Sequence, residues 1–254
     1  MLSKQVTKII QNLEKKKFRE KYNLFKIEGQ KLVGELLRSG LKTDSVIATE
    51  TWVDANRETV KGLNITTVTE REMSTISNFQ SLPEVIALAE IPLYTCDEQE
   101  INNTLSVVLN GIQDPGNMGT ILRVADWFGI QNVFCDADCA GIYNPKCVQA
   151  SMGAIFRVKV FYADLNTLIE KHCSETFHAY GTFLDGENIY KKELDTKGFI
   201  IMGNEGKGIC EEIEKQIDTR LTIPSFAASP DSTESLNVGV ATGIILSEFK
   251  RRKQ

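Results

Sequence analysis

Three glycine- and asparagine-bearing segments constrain the fold of this chain more than any other feature: Asn110 to Arg123, Ile201 to Ile209 and Ser235 to Val240. Each joins an apolar, strand-like run to a stretch with helical spacing. Their backbone amides and few polar side chains can therefore converge at one end of a parallel sheet, where open α/β sheets bind ligands.

The pattern around these turns fits such a sheet. Strand-like runs at 105–110, 132–136, 157–162, 177–183, 198–202 and 219–223 alternate with helical spacing near 118–128, 145–152, 164–173, 208–216 and 236–251. That alternation predicts a mainly parallel sheet covered on both faces. The first part of the chain has its own rhythm. Val6, Ile9, Ile10 and Leu13 share a helical face, as do Leu32, Val33, Leu36 and Leu37 before a stop at Gly40. Short strands follow at 45–48, 65–68 and 84–89, with helices near 51–61 and 70–78. Residues 92–103 are mostly polar and break the periodicity, which puts a boundary between an α/β domain over 1–95 and a second domain over 104–254. At 254 residues, two modest domains each bury a core.

Charge limits the partners. The net charge is -5, whereas a protein that neutralises many phosphates is usually basic. Any nucleic-acid contact must therefore be local, and the candidates are Lys15 to Lys21, the pair Arg157 and Lys159, and Lys250 to Lys253. A solvated helix face or frayed end is the bland alternative for each. The six cysteines form no Cys-x-x-Cys pair, so neither a zinc site of ordinary spacing nor a disulfide framework is expected. The first residues lack an export-type apolar run, and Val238 to Leu246 is too short to span a bilayer. The expectation is a soluble cytoplasmic protein without metal, membrane or DNA partner.

Taken singly, each motif has an ordinary reading. Asn117 can cap a helix that carries Arg123 on its surface. The sequence Gly203-Asn204-Glu205-Gly206-Lys207-Gly208 can be a plain turn, since it lacks both Walker and Rossmann spacing. Ser235 or Thr233 can cap the last helix, with Asn237 in its first turn.

Together and in this order, over roughly residues 104–250, the three segments resemble the signature motifs of the SpoU/TrmH family of RNA ribose 2′-O-methyltransferases in the SPOUT superfamily. The phrase from Lys16 to Lys31, with Phe25-Lys-Ile-Glu-Gly29, resembles the family's N-terminal substrate-binding domain. The resemblance implies a SPOUT-type sheet with a deep trefoil knot, S-adenosylmethionine as methyl donor, a homodimer, and an RNA substrate, with ribosomal RNA as the first reading and transfer RNA as the alternative. By the same resemblance Asn117, Arg123, Glu205, Ser235 and Asn237 are catalytic. Met202, Gly203, Asn204, Gly206, Gly208, Ile223, Pro224, Ser235 and Leu236 hold the cofactor. Ser151 and Gly153, in a further family-like segment, would line the acceptor side.

The segment from Pro224 to Ser235 is a few residues longer than the commoner family pattern, which bears on the cofactor contacts. Two other classes are weighed. A non-catalytic RNA-binding or assembly factor is opposed by the intact polar set, and a serine hydrolase by the distance of His172 and His178 from the motifs in sequence.

Overall fold

The computed structural model describes residues 2–227 and 234–251, and its contacts divide the chain into two units. The first comprises the chain through Leu93 together with Gly141–Phe156. Helix α1 (Lys4–Asn12) starts where the Ser3 hydroxyl accepts the Val6 amide, and it buries Ile10. Helix α2 (Lys16–Tyr22) leads into strand β1 (Leu24–Glu28), and α3 (Gln30–Ser39) buries Leu32, Val33 and Leu36 before stopping at Gly40. Strand β2 (Thr43–Ala48), α4 (Glu50–Ala55), β3 (Ile65–Thr67), α5 (Glu70–Ile76) and β4 (Val85–Glu90) follow. The sheet order is β1-β4-β2-β3, with β4 antiparallel to both β1 and β2. Helix α4 is shorter than the 51–61 read from sequence, because residues 56–62 continue as turns.

The second unit comprises Tyr94–Ala140 and the chain from Arg157 onward. It begins with α6 (Glu98–Asn103), in the stretch read from sequence as a polar linker. Asp97 caps this helix through the amides of Gln99 and Glu100, and only Ile101 is buried, so the helix carries almost no hydrophobic period. Strand β5 (Leu105–Asn110), α7 (Pro115–Trp127) and β6 (Asn132–Cys135) follow; α8 (Pro145–Ser151) then belongs to the first unit. Strand β7 (Lys159–Tyr162), α9 (Leu165–His172), β8 (His178–Asn188), β9 (Gly198–Gly203), α10 (Glu211–Glu214), β10 (Thr219–Thr222) and α11 (Val238–Arg251) complete the chain.

All pairings in this sheet are parallel, and the order is β10-β8-β9-β5-β6-β7. Its central strands β5, β6 and β9 are mostly apolar and buried, as strands covered on both faces require; Phe134, Phe199, Ile201 and Val108 lie in one core cluster with Leu165 and Ile169 of α9. Arg220 of β10 pairs with Gly181 of β8, but Leu221 pairs with Glu187, so residues 182–186 bulge out of the ladder.

The segment around Ser151 departs from expectation. Ser151 is fully buried with its hydroxyl donating to the Val148 carbonyl, and an added Cβ on Gly153 would lie 3.1 Å from Glu35. Both residues pack within the first unit, and neither lines either of the two hollows described below.

Candidate active site

The C-terminal ends of β5 and β9 are tied by amide side chains. Asn110 donates to Asp136 Oδ2 at 2.6 Å and accepts the Cys210 amide at 2.8 Å; Asn204 donates to the Gly111 carbonyl at 2.7 Å. The Asn204 Oδ1 in turn accepts the amides of Gly206 and Lys207, and the main chains of Asn204 and Gly208 exchange hydrogen bonds at 3.0 and 2.9 Å. The glycine-rich segment is thus a closed loop. Gly203 has to be glycine here, because a Cβ would lie 2.4 Å from the Gly208 carbonyl carbon.

The cap of α7 differs from the sequence reading. Asp114, not Asn117, is the capping residue: its Oδ1 accepts the Asn117 amide at 2.9 Å. The helix starts at Pro115, so Asp114 holds the N-cap position and Asn117 the third helical one, which releases the Asn117 side chain for longer-range contacts. Its Nδ2 donates to Glu205 Oε1 at 2.6 Å, and its Oδ1 accepts Asn237 Nδ2 at 2.9 Å. Asn237 itself precedes α11 and accepts the amides of Gly239 and Val240. The direction of this relay follows from chemistry. Two backbone donors fix the Asn237 oxygen, which leaves its NH2 to donate, and a carboxylate at the far end can only accept. Thr233, weighed as a cap of the last helix, lies outside the described residues, as do Arg252 and Lys253 of the C-terminal basic run.

Glu205 stands at a hollow of about 930 Å³, within the range of small-molecule and cofactor sites. Met202 and Gly203 line it from the end of β9, Asn204, Glu205, Gly206 and Gly208 from the loop that follows, Ile223 and Pro224 from just after β10, and Ser235 and Leu236 from the approach to α11. Every residue expected to hold a cofactor therefore faces one cavity. Asn117 and Asn237 reach it through Glu205.

Arg123 is the exception. It is exposed on α7 and lines a second hollow of about 760 Å³ with Trp127, Val240 and Glu248. Tyr190 and Ile244 border both hollows, but Arg123 does not line the first.

Sequence reasoning missed Thr182, Phe183, Leu184 and Asp185, which line the first hollow from the β8 bulge. The only signal in the sequence is the Asp185-Gly186 pair that interrupts an apolar run. Arg220 donates to Asp185 at 2.6 Å and holds its carboxyl below the usual carboxylate range.

Other candidates take their bland reading. Arg157 forms an ion pair with Asp126, and Lys159 with Glu100 at 3.0 Å. Arg19 is buried and donates to the carbonyls of Leu13 and Glu14, whereas Lys15, Lys16, Lys17 and Lys21 remain exposed. Among the described residues no histidine lines the hollow, so Ser235 has no imidazole base beside it there.

Comparison with known proteins brings the second unit into focus: residues 104–247 match the model of the SpoU rRNA Methylase family. The chain belongs to the SpoU rRNA methylase family. Residues 4–87 of this SpoU-family chain match the MRM3-like substrate binding domain. It is 30% identical over 249 residues to the 23S rRNA (guanosine(2553)-2′-O)-methyltransferase RlmP of Bacillus subtilis, covering 97% of this chain and 96% of that one. A TrmH-family structure from Porphyromonas gingivalis superposes with a TM-score of 0.87 at 35% identity, over 99% of each chain. A structure of an AdoMet-bound rRNA methyltransferase from Sinorhizobium meliloti gives 0.85 at 26% identity, over 100% of this chain and 97% of the other.

Proposed function

We propose that this chain transfers a methyl group from S-adenosylmethionine to a ribose 2′-hydroxyl in ribosomal RNA. The observation that carries the reading is the relay from the cap of α11 through Asn237 and Asn117 to Glu205 at the hollow, because it joins all three family motifs at one place.

The hollow suits the donor. Leu221, Ile223, Leu236, Val238 and Ile245 supply apolar surface for a purine, the turn after β9 supplies main-chain polar groups, and Glu205 supplies a carboxylate for a cation. When bound, S-adenosylmethionine supplies an electrophilic methyl group on a positively charged sulfur. The protein has then to place one hydroxyl oxygen in line with that methyl and to stabilise negative charge growing on the oxygen. Asn117 and Asn237 hold Glu205 in one rotamer, as positioning residues, and Ser235 lines the same hollow.

A guanidinium carries five N–H donors and no acceptor, so Arg123 serves as a donor rather than a base. Its part in this reading is to clamp the phosphate beside the target ribose and to support the developing alkoxide. Because it lines a separate hollow, we assign that part to the partner's site in a homodimer formed over the α7 and α11 face, where Trp127 is 84% exposed. The family's trefoil knot belongs to the same reading; it is supported by the return of the chain from the edge strand β10 to pack α11 on α7. The domain over 1–95 would select the RNA in a cytoplasmic setting, and no helix among the described residues is long and apolar enough to cross a membrane.

The test is to map 2′-O-methyl sites in total RNA with and without the gene, and to restore the missing site with purified protein and S-adenosylmethionine. One ribosomal site lost and regained supports the reading. A transfer RNA site would redirect the substrate, and no change at any ribose would overturn the activity. Single-turnover methylation by Arg123→Lys tests the clamp, since full rescue across the pH range would rule out a need for planar, two-pronged contact. Light scattering on Trp127→Glu tests the dimer, which should dissociate.

A further inference from the structure

The bulge of β8 places a side-chain cluster on the hollow that the motifs do not account for. Residues 182–186 leave the ladder between Gly181 and Glu187. At the far end of the bulge Gly186 is pressed onto β10, where a Cβ would lie 2.5 Å from the Leu221 carbonyl carbon. That contact fixes the bulge against β10 and leaves Phe183 and Asp185 lining the cavity. Arg220 stands behind both. Its guanidinium lies 3.6 Å from the centroid of the Phe183 ring, it donates to Asp185 Oδ1, and it pairs with Glu214 on its other side. A stacked, two-carboxylate arginine is a rigid support, because the planar fork is held at three points.

We propose that Asp185 accepts the hydroxyls of the ribose of the bound S-adenosylmethionine, and that Arg220 and Phe183 position it to do so. The inference rests on the methyl-donor reading above. In the sheet order β9 leads into the turn that carries Glu205 and lies beside β5, whereas β8 and β10 lie successively farther away from β5. With the methyl group toward Glu205, the β8 and β10 strand ends are left for another arm of the cofactor. Charge decides which arm. A guanidinium 2.6 Å from Asp185 repels an ammonium group, so the amino-acid arm is disfavoured there, while a neutral diol still gives good hydrogen bonds. The apolar neighbours Leu221 and Ile223 suit the adjoining purine.

The experiment is calorimetric binding of S-adenosylhomocysteine, its 2′,3′-dideoxyribose analogue and 5′-methylthioadenosine, which lacks the amino-acid arm. The wild type should bind the dideoxy analogue about ten- to a hundredfold more weakly than the parent, the span of a hydrogen bond to a charged acceptor. Asp185→Ala should weaken the parent by a similar factor and bind both ribose forms alike. It should also lose affinity for 5′-methylthioadenosine. Arg220→Met should raise the KM for S-adenosylmethionine while leaving kcat and the KM for RNA unchanged. If Asp185→Ala still discriminates between the two riboses, or loses affinity only for ligands that carry the amino group, the assignment is overturned. Circular dichroism and melting curves identify a variant that has failed to fold, and Asp185→Leu, of similar size but without an acceptor, then takes its place in the same comparison. Failure of the wild type to bind S-adenosylhomocysteine at all would instead sink the methyl-donor reading.

Discussion

The relay between the motifs makes a sharp prediction at Asn117. Asn117→Asp keeps the size of the side chain and its acceptor toward Asn237, but replaces the donor that meets Glu205 Oε1 at 2.6 Å with a second carboxylate. Two unit charges about 3 Å apart repel by about 1.4 kcal/mol at the dielectric of water and about 5.5 kcal/mol at an effective value of ~20. Glu205 is exposed and Asn117 only half-buried, so the lower part of that span applies, about 1.5–3 kcal/mol. The lost hydrogen bond adds about 1 kcal/mol after the same discount for solvent. A total of about 2.5–4 kcal/mol corresponds to a loss of roughly a hundredfold to a thousandfold in kcat/KM. The assay is single-site methylation of substrate RNA with subsaturating cofactor, run in wild-type and Glu205→Gln backgrounds. The neutral amide introduced by Glu205→Gln can donate to the carboxylate introduced by Asn117→Asp. In that background Asn117→Asp should therefore cost less than about fivefold, a coupling that a double-mutant cycle isolates. An equal loss in both backgrounds would refute the claim that Asn117 acts through Glu205.

Gly203→Ala should open the loop between Asn204 and Gly208 and weaken S-adenosylhomocysteine binding at least tenfold by calorimetry, since its Cβ would stand 2.4 Å from main-chain carbon. Lys26 lies buried in the first unit, 2.7 Å from Glu28 and 2.9 Å from Glu14, the latter an ion contact rather than an aligned hydrogen bond. Lys26→Met should lower stability by about 3–5 kcal/mol in denaturant melts by leaving Glu28 uncompensated, and Lys26→Met with Glu28→Gln should recover much of the loss. Burial lowers the pKa of His172 from its ordinary 6.5, and its Nδ1 lies 2.7 Å from Asn102 Oδ1. The unfolded chain therefore binds this proton more readily, and the stability from neutral His172 is complete above about pH 6.5 and falls as the pH drops toward the folded-state value. The melting temperature of His172→Phe should fall less between pH 7.5 and 5.5 than that of the wild type; equal falls would remove His172 as the cause.

Much of the framework is legible in the sequence because it is written locally. The central strands of the second sheet are apolar runs, and each of the three turns announces itself by its glycine and asparagine. The grouping of Met202 to Gly208 with Ile223, Pro224, Ser235 and Leu236 around one cavity follows, since ends of parallel strands share an edge. Local signals mislead where two residues compete for one task. Asn117 and Asp114 can both cap α7, and only the folded helix end selects the aspartate. Helix α6 is illegible for the opposite reason: six residues with a single buried position carry no period to read.

What only the tertiary structure decides is held by contacts between distant parts of the chain. Asn117 meets Glu205 across 88 positions and Asn237 across 120, and no pattern within a short sequence window encodes either bond. The same holds for the bulge of β8, which exists because Leu221 of β10 pairs with Glu187 instead of the residue after Gly181, and for Gly141–Phe156, which packs with the first unit although the sequence reading gave it to the second. Arg123 shows the limit most plainly. Its motif marks it as functional, but the direction in which a helix presents a side chain depends on what the rest of that helix buries, and here α7 turns Arg123 toward a different hollow from the one its motif neighbours serve.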